Sequence, residues 1–161
     1  MSEQNYNATF IVDQSSEAVF AAINNPRAWW SHAIEGDTDK LGAVFYYHYR
    51  DVHRCTFQIT ELVPGKKVVW HVLHNDFNFI RDKAEWNGTD VVFEIAGKGN
   101  GAEVRFTHVG LVPAYECYDV CANAWGTYIT GSLHSLITTG EGQPNPTGDE
   151  VAVTDFSPTA G

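Results

Sequence analysis

Apolar and polar residues alternate most cleanly between Arg54 and Leu62, with Cys55, Phe57 and Ile59 on one face and Thr56, Gln58 and Thr60 on the other. A period of two over such a stretch predicts a half-buried strand. Several neighbours read the same way. Asn5 to Val12 predicts a first strand. Ala43 to Arg50 sets Phe45, Tyr47 and Tyr49 against Val44, Tyr46, His48 and Arg50. Val68 to Leu73 is apolar on both faces except at His71. Val91, Phe93 and Ile95 share a face, as do Val104, Phe106 and His108. Val63-Pro64-Gly65-Lys66-Lys67 is expected to turn, and Gly97 to Gly101 to close a hairpin. Asn75 to Asn87 is less regular, and Asn87-Gly88 is a turn or a bulge.

Two short helices are predicted after the first strand. Ser15-Ser16-Glu17 offers an N-cap followed by an acid in the first turn. Val19, Phe20 and Ile23 follow at helical spacing. Pro26 ends that helix, because it disfavours the α region at Asn25. Arg27 to Ser31 then predicts a second helix. A much longer one is predicted after Pro113, which suits a first helical turn. From Ala114 to Thr139 the apolar positions, among them Cys121, Trp125 and Leu133, recur at helical spacing. At ~1.5 Å per residue this helix is ~37 Å long, enough to cross a sheet. Gly140 is the expected stop. Gly126 and Gly131 inside it cost ~1 kcal/mol each against alanine, and point to close approach to the sheet or to a second copy of the chain. The order of elements is α+β, with a curved antiparallel sheet wrapped around one long C-terminal helix. Residues 1–142 are expected to form one domain, and 143–161 an extended tail with one short strand at Val151 to Val153.

Composition sharpens this picture. The 161 residues include five tryptophans, seven tyrosines and nine phenylalanines, 13% of the chain. Aromatic side chains build both large cores and the walls of apolar ligand pockets. Net charge is −10, and Arg105 is the last basic residue in the chain. Nucleic acid requires a basic face, so no nucleic-acid partner is expected, and no anionic membrane surface either. Without a run of 18 apolar residues or a signal-peptide core, the chain is expected to be cytoplasmic. Cys55, Cys117 and Cys121 then read as free thiols.

Candidate chemistry is sparse. His71 and His74 lie three apart in a strand, so they are expected on opposite faces and not on one metal. His108 is open to two readings, a cavity acid–base group or a hydrogen-bonded core histidine. Cys117 and Cys121 share a helix face without two further ligands for a zinc, and read as small hydrophobes. A calcium loop from Asp37 fails, because Leu41 and His48 stand where its ligands belong. No metal or cofactor is expected. Trp30, Phe45, Tyr47, Phe57, Trp70, Phe93, Phe106 and Trp125 are expected to project to one side. With His108 and Cys121 they form the candidate ligand site, as a pocket wall or as a filled core.

Taken in order, Trp29-Trp30-Ser31, Leu41-Gly42 with Phe45, Glu61-Leu62-Val63-Pro64-Gly65 before Val68-Val69-Trp70, Phe106-Thr107-His108-Val109-Gly110-Leu111, Trp125, and Leu133 with Leu136 resemble proteins related to the activator of heat-shock-protein-90 ATPase, within the START-like or SRPBCC superfamily. The resemblance runs from Thr9 to Thr139. It implies a helix-grip fold with an apolar cavity, and it implies no particular reaction. The expected function is binding of a small apolar or aromatic molecule between sheet and helix. Two alternatives stay open: an enzyme of cyclase or hydrolase type using the same cavity, and a chaperone-associated interaction module. A homodimer is one of the open assemblies.

Overall fold

Seven antiparallel strands form one sheet in the order β1-β7-β6-β5-β4-β3-β2. The structure is a computed structural model and describes residues 6–31, 34–49, 53–77, 88–111 and 118–143. The strands are β1 (Tyr6–Val12), β2 (Ile34–Gly36), β3 (Val44–Tyr49), β4 (His53–Val63), β5 (Lys67–Phe77), β6 (Asp90–Lys98) and β7 (Gly101–Val109). Helix α1 (Ser16–Ile23) is capped as its sequence predicts, with the Ser15 side chain accepting from the Ala18 backbone N–H at 3.1 Å. It buries Val19 and Ile23 against the sheet.

The predicted second helix shrinks to a 3-10 turn, Pro26–Ala28. The Pro26 carbonyl gathers the backbone N–H groups of Trp29, Trp30 and Ser31. β2 was not legible in the sequence. Three residues are too few to show a period, and β2 pairs with Phe45 to Tyr47 as an edge.

The long helix is described from Tyr118. It runs as α2 (Tyr118–Gly126), a π-helical stretch (Thr127–Leu133) and α3 (His134–Thr139), with helical backbone angles at both joints. The seven π residues bond five residues apart where the predicted α-helix bonds four apart, and such stretches are uncommon. Gly140 ends the helix at φ +89°. Immediately after it, the Gln143 backbone N–H donates to the Ser132 hydroxyl at 2.6 Å. The expected helix start at Pro113, Cys117, the turn residue Asn87 and the tail strand at Val151 to Val153 lie outside the described residues.

Strands β4 and β5 bend the sheet. Ile59 pairs with Trp70 and Glu61 with Val69, leaving Thr60 as an extra residue. Thr56 pairs with His74 and Phe57 with Val72, leaving Leu73 as another. Each bulge adds twist and kinks its strand. The second one overturns the expectation for the histidines. Val72 and Asn75 are buried while Leu73 and His74 are exposed, so the inward phase slips by one residue. His71 and His74 therefore both lie on the outer side of the sheet. His71 Nδ1 sits 2.8 Å from Asp90 Oδ1 there.

The inward residues form rows across the strands. One row is Tyr6, His108, Val91, Trp70 and Ile59. The next is Ala8, Phe106, Phe93, Val68 and Leu62. Further along, Ile34, Tyr47, Cys55 and Asn75 line up on β2 to β5. Cys55 is fully buried, and burial pushes its thiol well above the ordinary value of 9.0. At Gly110, φ is +104° and an added Cβ would stand 2.6 Å from Thr89 Cγ2. This close approach lets the β7 end lie against Thr89.

Two predictions follow from this packing. Gly110→Ala should destabilise the fold by about 1–3 kcal/mol in urea unfolding, through the forbidden φ and the crowding of Thr89. Gly97→Ala, with open space around it, should stay within about 0.5 kcal/mol. For Cys55, the unfolded thiol loses its proton near pH 9 while the folded one keeps it. Its contribution to stability is therefore full below that pH and falls as pH rises above it. Unfolding free energy measured from pH 7 to 10.5 should slope downward at the alkaline end. Cys55→Ala should flatten the slope, and an unchanged slope would show that burial of this thiol is not its cause.

Candidate functional site

Ten side chains chosen from the sequence come together between sheet and helix, none more than 2% exposed. The elements explain why. Alternation on β3, β4, β5, β6 and β7 turns Phe45, Phe57, Trp70, Phe93 and Phe106 to one side. The tight turn at Pro26 drives both of the following indoles onto that surface. The helix closes it with Cys121 and Trp125, and with Tyr128 from the π-helical stretch.

The rings touch face and edge. Trp30 stacks on Tyr47 at 4.2 Å between centroids and lies parallel to Trp70 at 6.0 Å and 6°. It also meets Trp125 at 5.2 Å. Trp30 thus joins the α1 loop, the sheet and the helix. Trp29 stacks on the other side of the cluster, 6.2 Å from Trp70, and belongs to the site although the sequence reading left it out. With two adjacent tryptophans in a turn, no periodicity says that both point inward.

His108 is held at both ring nitrogens. The Trp125 indole N–H donates to Nδ1 at 3.1 Å, and Nε2 lies 2.8 Å from the Thr89 hydroxyl. An indole nitrogen is only a donor, so Nδ1 accepts and the proton sits on Nε2. The ring is neutral and completely buried. A proton on Nδ1 would set two donors against each other, so the neutral ring holds Trp125 in place. Thr89, the partner that does this, carried no signal in the sequence.

The other end of the cluster is polar. Tyr47, Cys55 and Asn75 stand side by side on three strands, each at most 1% exposed. Cys55 was legible as an inward residue, because it shares the apolar face of β4 with Phe57 and Ile59. Asn75 was not, because only the bulge at Leu73 turns it inward.

Hydrogen bonding separates the indoles. Trp29 Nε1 donates to the Ala22 carbonyl at 3.0 Å, and Trp125 Nε1 to His108. Trp30 Nε1 and Trp70 Nε1 are buried and make no hydrogen bond among the described residues. Leaving a buried donor unmatched costs about 1–3 kcal/mol. Among the described residues, no three His, Cys, Asp or Glu side chains converge as a metal site would need. Two surface clefts lie elsewhere. One of about 520 Å³ is lined by residues such as Val63, Lys67 and Arg105, and one of about 620 Å³ lies beside Asn24, Arg27 and Asp37. Neither is lined by a residue of the predicted site. Among the described residues, no helix is long and apolar enough to cross a membrane.

Comparison with known proteins agrees with the architecture. The solution structure of the Aha1 dimer from Colwellia psychrerythraea superposes with a TM-score of 0.69 at 22% identity, covering 86% of this chain and 99% of that one. The protein MLL2253 from Mesorhizobium loti superposes with a TM-score of 0.66 at 14% identity, covering 83% and 96%. DynU16, a protein of the dynemicin biosynthetic locus, gives 0.64 at 12% identity, covering 88% of this chain and 49% of that one. At these identities the likeness is one of fold: the seven-stranded sheet and C-terminal helix form the helix-grip α+β architecture. No curated protein matches the chain by sequence. A family match spans residues 13–138, from the end of β1 to the last turn of the long helix. The chain belongs to the family described as activator of Hsp90 ATPase homolog 1-like protein.

Proposed function

We propose that this protein binds a small apolar or aromatic molecule between the sheet and the C-terminal helix, and carries it without reaction. The observation behind this reading is the convergence of aromatic rings from five strands and the Pro26 turn, met from the helix by Trp125 and by Tyr128 of the π-helical stretch. A core made only for stability would favour a regular α-helix and branched aliphatic side chains. This one places four indoles in contact, and Tyr128 of the uncommon π-helical stretch meets Trp30. That segment is the natural place for the helix to lift and admit a guest. Tyr128, Ile129, Ser132 and Leu133 are the buried side chains it would move.

The enzymatic alternative is less well supported. Its expected acid–base group, His108, is neutral and bonded at both nitrogens to side chains that hold it in place. A homodimer is the first assembly to test, because the Colwellia protein is titled a dimer.

Thermal unfolding against a panel of lipids, flavonoids and polycyclic aromatics tests the reading. A guest at 100 times its Kd should stabilise the fold by about 2.7 kcal/mol. Trp125→Phe should keep the fold at a cost of about 1–3 kcal/mol and diminish the shift, since it frees His108 and opens the cluster. A panel without any shift would move the function to the interaction-module reading.

A further inference from the structure

We propose that the buried surface around Trp30 and Trp70 selects guests by a hydrogen-bond acceptor, taking a ring ketone or quinone oxygen on the Trp30 or the Trp70 indole N–H. The inference rests on the binding reading above and gives its ligand a chemical class.

Four tryptophans are described, all at most 2% exposed. The fold supplies a fixed acceptor to two of them, the Ala22 carbonyl for Trp29 and His108 for Trp125. The other two indoles lie parallel, 6.0 Å apart, and both keep an unmatched N–H inside the cluster. An indole N–H can only donate, so the site favours an oxygen that accepts. Bulk water does not reach either ring to compete for that bond, and a low-dielectric setting strengthens it.

Charge narrows the class. Among the described residues, no lysine or arginine is buried. A carboxylate brought there would be desolvated without a cationic partner, which is costly. A neutral carbonyl on a flat ring system meets both demands: π-faces for the stacked rings and an oxygen for the donors. The polar row of Tyr47, Cys55 and Asn75 lies next to Trp30, which stacks on Tyr47.

Three probes of nearly one shape separate the possibilities: 9-fluorenone, fluorene and fluorene-9-carboxylate. Titrations of the ¹⁵N-labelled full chain would follow the indole N–H signals, with Trp30→Phe and Trp70→Phe assigning two of the five. 9-Fluorenone should bind roughly tenfold more tightly than fluorene, or better, and move the Trp30 or Trp70 indole proton downfield. The carboxylate should bind most weakly. The preference should shrink in the two Phe variants. Should either variant fail to fold, the Trp30 signal is identified by its proximity to the Tyr47 ring, and the shift in the unaltered chain decides. Equal binding of fluorenone and fluorene with unmoved indole signals would overturn the acceptor inference and leave the pocket standing. Saturation by none of the probes would overturn both. Indole signals that contact water in the free protein and do not move with fluorenone would also overturn it, since the donors would then be hydrated.

Discussion

Trp70 stands at the middle of the sheet, and three other segments of the chain are organised by contact with it. Trp29 and Trp30 lie parallel to its ring from the Pro26 turn, while Phe45 and Phe93 meet it edge-on from β3 and β6. A buried aromatic ring removes 150–250 Å² from water, so this junction holds a large share of the apolar burial in one place. The turn, the sheet and, through Trp30 and Trp125, the helix are therefore coupled. Moving any one of them opens the stack. A guest between helix and sheet would have to act on this junction, because the site and the core are made of the same side chains.

The bulges at Thr60 and Leu73 set the shape around that junction. Both lie on the β4–β5 pair, the longest in the sheet. Additional residues there bend the strands around the helix, and a flat sheet would leave the helix in contact with fewer rows. The Leu73 bulge does more than bend. By slipping the phase it removes His74 from the interior and brings Asn75 in, beside Cys55 and Tyr47. A chemical gradient results, apolar under α1 and polar towards β2 and β3.

His108 illustrates how the same interior polarity serves structure. Its two bonds, to Trp125 and Thr89, tie the helix to β7 and to the residue before β6. Gly110 permits the Thr89 side of that link. The Trp30 and Trp70 donors are made of the same chemistry and sit in the same cluster, yet no group among the described residues meets them.

Much of the fold was legible locally. The alternation at Cys55, Phe57 and Ile59 and at Val104, Phe106 and His108 determined which residues face inward, because a strand's period of two is enforced by its own backbone. Ser15, Pro26 and Gly140 placed the helix ends for equally local reasons. The ten candidate residues therefore meet in the interior, and the ordered motifs carried the family. Tertiary structure alone decided the rest. The edge strand at Ile34, the phase slip at Leu73 and the π-helical stretch depend on cross-strand pairing and on packing against partners far away in sequence. Which indoles find an acceptor depends on such partners too: Ala22 reaches Trp29 and His108 reaches Trp125, while Trp30 and Trp70 are left with none. Periodicity can say that a polar atom is buried; only the meeting of distant segments says whether it is satisfied.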